Sequence, residues 1–128
     1  MTPETIQALL QDFFAAAGRK DIEAWVGCFA EDGVSHDPVG GIPTQGHANL
    51  HQFYGSIFES FDRIELTQDS TFLSGSGAAV KWTGTGRGKS GREVLFDGIY
   101  VFELNEDAKI QLLLAYWDPA EMLTELLQ

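Results

Sequence analysis

Glu93-Val94-Leu95-Phe96-Asp97-Gly98-Ile99-Tyr100-Val101-Phe102-Glu103-Leu104 is the stretch that decides the fold. Phe96, Gly98, Tyr100 and Phe102 alternate with Asp97, Ile99, Val101 and Glu103, the period of a strand with one buried face. That period holds from residue 63 onward. Ile64/Leu66 makes one short run, Ala78–Thr85 with Val80 and Trp82 a second, and Ile110–Trp117 the last, reached through a hairpin turn at Asn105-Glu106-Asp107-Ala108. Before residue 63 the period is helical. Ile6, Leu9, Leu10, Phe13 and Ala17 recur three and four apart behind a Thr2 or Thr5 cap, and Gly18-Arg19-Lys20 ends that helix. Asp21 caps a second, short helix with Ile22, Trp25, Val26 and Phe29 on one face, and Glu31-Asp32-Gly33 turns into a strand. A Pro/Gly loop at 38–46 leads to a third helix near 47–60, carrying Leu50, Phe53, Tyr54, Ile57 and Phe61. The tail 119–127 reads as a short helix with Met122, Leu123 and Leu126 inward. Helices followed by a run of adjacent strands predict an α+β fold, with three helices packed on one face of a mostly antiparallel sheet.

The chain of 128 residues suits one domain, 1–128, and its 44% hydrophobic and 12% aromatic content suits a packed core. A formal net charge of −11 argues against phosphate-neutralising nucleic-acid binding and against docking to an anionic membrane. No run approaches the roughly 20 apolar residues of a membrane span. Met1-Thr2-Pro3-Glu4 lacks the basic and apolar regions of a secretion signal, and Cys28 is the single cysteine, so no internal disulfide is expected. These features predict a cytoplasmic protein.

Two motif look-alikes fail on context. Gly86-Arg87-Gly88-Lys89-Ser90-Gly91 fits G-x-G-x-x-G, but it joins two strands, whereas the dinucleotide fingerprint must enter a helix. A phosphate loop needs glycine five positions before Gly88, where Thr83 stands. Of the three histidines, His47 and His51 share a helix face, yet Ala48 occupies the place of the protease glutamate. They read as a solvent-facing pair, and His36 as pointing away from its neighbour Asp37. No metal or other cofactor is expected. Cys28 reads as inert packing.

The chemistry concentrates in Val34-Ser35-His36-Asp37-Pro38-Val39-Gly40. Proline biases Asp37 toward extended geometry and ends regular pairing, leaving an acid on stiff backbone at a strand end. Trp117, Tyr100, Trp82, Phe96, Phe102, Tyr54 and Phe13 lie on faces that read as interior. An apolar pocket around a carboxyl raises its pKa and suits it to act as a base near neutral pH.

Lys20-Asp21-Ile22 through Phe29-Ala30-Glu31-Asp32, Asp37-Pro38-Val39-Gly40, Phe53-Tyr54 and Glu65-Leu66-Thr67-Gln68 carry a resemblance over nearly the whole chain. The sequence resembles the ketosteroid isomerase branch of the nuclear transport factor 2-like superfamily, which also holds SnoaL-like cyclases and limonene epoxide hydrolases. The resemblance implies a curved sheet wrapped on a long helix, a conical (cystatin-like) pocket for a small hydrophobic molecule, and a homodimer through the sheet. It implies Asp37 as a base acting alpha to a carbonyl, where the family adds a tyrosine and a protonated aspartic acid as oxyanion donors. Here the tyrosine's place falls on Phe13 and the acid's on Tyr100, while Trp117 falls beside the base and Tyr54 behind it. Loss of one oxyanion donor costs about 3 kcal/mol, which argues against efficient steroid isomerisation but not against easier proton transfers. Asp118 is a second candidate acid, by analogy with the last-strand aspartate of SnoaL-like cyclases; its alternative role is a helix cap.

Three readings follow. The first is an isomerase- or cyclase-like enzyme with Asp37 as base and Tyr100 as donor. The second is a non-catalytic pocket on the same fold. The third is hydrolysis by an acid pair, which requires Asp118 within reach of Asp37.

Overall fold

The computed structural model describes residues 1–128. In chain order its elements are α1 (Pro3–Gly18), α2 (Ile22–Gly27), β1 (Phe29–His36), β2 (Thr44–Gln45), α3 (His47–Glu59), β3 (Phe61–Ser74), β4 (Gly77–Gly88), β5 (Glu93–Leu104), β6 (Ile110–Tyr116) and α4 (Pro119–Leu126). The six strands form one curved sheet in the order β2-β1-β6-β5-β4-β3. Every pairing is antiparallel except β1 with β6. This is the α+β architecture that the periodicity predicts.

The helices start where their caps stand. Thr2 accepts the Thr5 N–H at 3.2 Å and Pro3 opens α1. Asp21 accepts the Ala24 N–H at 3.0 Å to start α2. The expected face of α1 is buried, with Leu10, Phe13 and Ala17 fully enclosed. Along β5 the even-numbered residues face the helices and the odd-numbered ones face outward, as the alternation requires.

Five local expectations are corrected. Phe61 is not on the third helix but opens β3, because α3 ends at Glu59. Phe29 is not on the second helix but opens β1, because α2 ends at Gly27. Glu31-Asp32-Gly33 is an irregular step inside β1, where the register with β6 shifts between Phe29 and Val34. The Ile64/Leu66 run extends to the 14-residue β3, since a bulge between Gln68 and Ser70 resets the alternation that marks a strand. Leu123 is exposed on α4, whereas Met122 and Leu126 turn inward.

The inner sheet face is crowded with rings, and glycines make the room. Gly84 faces Phe96 across β4 and β5, and a methyl group there would fall 2.3 Å from the Phe96 ring. Gly98 faces Trp82; its added methyl would stand 2.6 Å from Trp117 Cβ and from the Tyr116 carbonyl, and 2.9 Å from Trp82 Cζ2. The backbone carbonyl cannot move aside as a flexible side-chain tip could. Gly98→Ala is therefore expected to lower unfolding stability by about 1–3 kcal/mol in urea titration, the usual cost of overpacking. Gly18→Ala, whose methyl meets nothing within 4 Å, is the matched control and should leave the midpoint unchanged or raise it.

Candidate active site

Three separate segments of the chain meet at Asp37. The residue leaves β1 just after His36, through a cis peptide bond to Pro38. The Val39 N–H then bonds the Ala115 carbonyl at 2.8 Å, tying this turn to β6. Trp117 follows the last residue of β6 and donates its indole N–H to Asp37 Oδ1 at 2.7 Å. Tyr54, on the buried face of α3, donates its hydroxyl to Asp37 Oδ2 at 2.9 Å. Both carboxylate oxygens are thus held by fixed donors.

Behind Tyr54 stands Ser35, buried, with its hydroxyl 2.6 Å from the tyrosine oxygen. A phenol carries one proton, and Tyr54 gives it to Asp37, so Ser35 must be the donor in that second contact. The result is a directed chain from Ser35 to Tyr54 to Asp37. The sequence reading missed Ser35, although the same alternation places residues 35 and 37 on one face.

Burial governs the electrostatics. Removal from water pushes the Asp37 pKa above the ordinary aspartate value, and the bonds from Trp117 and then Tyr54 pull it only part of the way back. Burial, followed by the nearby Asp37 charge, holds the pKa of both Tyr54 and Tyr100 well above that of a free phenol. Tyr100 therefore keeps its proton as a donor. Its hydroxyl takes no hydrogen bond from or to Asp37, whose two partners are Trp117 and Tyr54.

Asp37 stands between two hollows. The inner cavity, about 30 Å³, has Asp37 as its single charged residue among a wall that includes Trp25, Tyr54, Trp82, Phe96, Tyr100, Trp117 and Met122. By volume it holds one or two waters. The outer hollow, about 240 Å³, is lined by Asp37, Pro38, Phe53, Ile57, Trp117, Pro119, Met122 and Leu123. Asp37, Ile57, Trp117 and Met122 belong to both. A larger surface hollow of about 450 Å³ between β2 and α3 lacks any titratable side chain, so its size carries no chemistry.

Not every residue expected at the pocket reaches it. Phe13 and Phe102 stand one layer behind the wall. Phe13 is stacked on Trp25 with ring centres 3.7 Å apart, and both phenylalanines pack edge-on to Tyr100, at 5.8 and 5.7 Å. Asp118 caps α4 by accepting the Ala120 N–H at 3.0 Å and borders a separate surface depression with Asp97 and Glu121. His47 bonds the Phe29 carbonyl at 2.8 Å instead of facing solvent freely, and His51 pairs with Glu23 at 2.7 Å. Burial, reinforced by Asp12, pushes the Cys28 thiol up to about 11, so it stays protonated near neutral pH. Trp25 and Met122, which the sequence reading left in the core, are part of the cavity wall.

Chemically, a desolvated carboxylate with fixed donors on both oxygens and an apolar cavity beside it can accept a proton from a weakly acidic group. Comparison with solved structures places the fold. The chain superposes on RV0760c from Mycobacterium tuberculosis with a TM-score of 0.82 at 20% identity, covering 92% of this chain and 94% of that one. Against SalBIII, an epoxide hydrolase/cyclase-like enzyme of pyran ring formation in the polyether salinomycin, the TM-score is 0.81 at 19% identity, covering 90% and 92%. Against the Delta 5-3-ketosteroid isomerase of Mycobacterium sp. it is 0.76 at 23% identity, covering 89% and 93%. These likenesses establish the nuclear transport factor 2-like fold. Residues 10–113 match the SnoaL-like domain model, and the chain belongs to the SnoaL-like domain family.

Proposed function

We propose that this chain is an isomerase- or cyclase-type enzyme in which Asp37 removes a proton alpha to a carbonyl. One observation carries the reading: a lone carboxyl on a half-buried residue, gripped by Trp117 and Tyr54, faces a cavity whose other lining residues are uncharged and mostly apolar. Tyr100, protonated and on the same wall, donates to the enolate oxygen as it gains charge. The hollows suit a compact ketone or enone whose reactive end enters the inner cavity while its body occupies the outer one. No second acid is required, and Asp118 serves the fold by capping α4.

Asp37→Asn tests the reading, and the site can accept it. Asn Oδ1 takes the Trp117 N–H, while Nδ2 donates to a Tyr54 hydroxyl turned toward Ser35. With small cyclic ketones in deuterium oxide, the wild-type protein should exchange α-protons, and Asp37→Asn should lose about 10²–10⁴-fold of that rate, the usual weight of a positioned base. Equal exchange in both proteins refutes the mechanism. Ketone binding without exchange in the wild type favours the alternative, a non-catalytic pocket.

The pH dependence has a definite sign. The base works only when ionised, so the exchange rate should fall on acidification with a midpoint above that of an ordinary aspartate. Trp117→Phe should move the midpoint further up than Tyr54→Phe does, because the Trp117 bond is the stronger of the two that lower it. For stability the same shift runs the other way. With the folded pKa above the unfolded one, Asp37's contribution is full below the unfolded pKa and is lost as pH rises through the folded value. Asp37→Asn is accordingly expected to hold or raise the urea midpoint at neutral pH, and a clear drop contradicts the desolvation account.

We also infer a homodimer through the outer sheet face. Leu95 and Phe72 are 70% and 73% exposed there, and Ile99 and Tyr116 lie side by side on neighbouring strands. Sedimentation should give twice the 14.1 kDa chain mass, with Ile99→Lys shifting it to the single-chain value. A single-chain mass for the wild type at all concentrations removes this proposal.

A further inference from the structure

Ser35 is the one polar side chain in the buried set, at 1% exposure, among residues that are otherwise hydrophobic. A hydroxyl taken out of water costs free energy unless it is hydrogen-bonded, so a serine here calls for a use that alanine would not serve. Its backbone is pinned on both sides, paired with Thr44 on β2 and with Leu113 on β6. Its side chain makes a single hydrogen bond, the 2.6 Å contact with the Tyr54 hydroxyl.

Tyr54 has two polar partners and one proton to give. Its oxygen stands 2.9 Å from Asp37 Oδ2 and 2.6 Å from Ser35 Oγ, while its ring packs near Trp25, Phe53 and Phe29. A phenolic proton turned toward Ser35 would leave Asp37 Oδ2 without this donor. The ionised carboxylate wins the proton, because a charged acceptor binds roughly twice as strongly as a neutral one. Ser35 then gives its own proton to the tyrosine oxygen. Burial, foremost, holds the Tyr54 pKa up, and the Ser35 bond is the one influence that works downward. A more acidic phenol is a stronger donor, so the first link of the chain strengthens the second.

We propose that Ser35 is a positioning residue for the base: its hydroxyl keeps the Tyr54 proton on Asp37 and strengthens that bond. The catalytic meaning of this role rests on Asp37 being the base for an α-proton. The groups that face Asp37 are Tyr54 from α3, Tyr100 from β5 and Trp117 beyond β6, while α4 presents the uncharged Pro119, Met122 and Leu123. No second charged side chain lines either hollow. The carboxyl therefore answers to its two donors, Trp117 and Tyr54, and Ser35 reaches it through the second. Removing the serine hydroxyl weakens a bond that lowers the Asp37 pKa, so the Asp37 midpoint must rise.

The experiment reads that midpoint directly, from the ¹³C-carboxyl resonance of Asp37 followed against pH in aspartate-labelled protein and assigned by its absence in Asp37→Asn. Ser35→Ala should raise it by roughly a few tenths of a pH unit, less than Tyr54→Phe does, since it weakens the Tyr54 bond without removing it. Ser35→Cys fills the space but donates weakly, and should act in the same direction. In a Tyr54→Phe background neither change should move the midpoint further. Exchange of ketone α-protons at pH values below the midpoint should fall about twofold in step. An unmoved midpoint in both serine variants overturns the proposal and leaves the base intact. A downward shift also overturns it, because Tyr54 would then be giving its proton to Ser35. An equal rise with and without the Tyr54 hydroxyl, or a rise in Ser35→Ala with Ser35→Cys at the wild-type value, marks packing and overturns it as well. The expected shifts in a wild-type background that exchanges no ketone α-proton refute the base and leave this role of Ser35 standing.

Discussion

A carboxylate taken out of water loses several kcal/mol of hydration unless donors replace the lost water, and this requirement organises the molecule around Asp37. The replacements come from distant parts of the chain: Trp117 beyond β6 and Tyr54 on α3, itself backed by Ser35 on β1. Neither of the two direct donors, Trp117 and Tyr54, is a sequence neighbour of Asp37. The site therefore exists only when β1 lies beside β6 and α3 crosses them, which the parallel β1–β6 pairing and the Val39–Ala115 bond enforce. Local chemistry and global topology are the same constraint here. A donor on each oxygen also fixes the carboxyl's orientation, so the acid is aimed as well as dried.

The rings that exclude water impose a second geometric demand. Trp82, Phe96, Tyr100 and Trp117 occupy one sheet face, and pleated strands separate cross-strand side chains by only about 5 Å. At two places on that face a ring lies across the partner strand and leaves no room for a side chain opposite it. The pairs Gly84 with Phe96 and Gly98 with Trp82 relieve this by setting a ring against bare backbone. Glycine in a strand usually weakens it through entropy and lost packing. On this face it does the reverse, because each ring covers the space that a side chain would fill.

How much of this was legible in the sequence depends on what period and residue type can encode. The alternation in 93–104 fixed which residues of β5 face the helices, and Asp21 fixed where α2 begins, while the start of α1 stayed open between Thr2 and Thr5 until the structure showed Thr2 as the cap. Asp37 stood out because proline follows it at a strand end. Period, however, specifies a face and not a depth. Phe13 and Phe102 do point inward, yet they lie behind the wall formed by Tyr100, and nothing in their spacing separates the two layers. Bulges defeat the same logic. The irregular step at 31–33 resembled a turn, and the one at 68–70 hid the outer half of β3. Ser35 was within reach, since it shares a face with Asp37, but a serine in a strand signals nothing until its partner is known. The small inner cavity and the larger outer hollow share Asp37, Ile57, Trp117 and Met122, residues from four parts of the chain that no periodicity groups together.

The distribution of unfavourable terms points to the same place as the favourable ones. Over most of the chain, pattern, capping and packing agree, as a foldable sequence requires. Among the exceptions are a desolvated carboxyl and two indole N–H groups without acceptors, on residues that line one cavity. Each would be relieved by a simple change, such as asparagine for Asp37 or phenylalanine for either tryptophan. A desolvated carboxyl in an otherwise consistent fold is the kind of local conflict expected at a binding or catalytic site. On the reading proposed for Asp37, the ligand brings an acidic C–H to that carboxyl on a body that is otherwise apolar, because every other residue lining the inner cavity is uncharged.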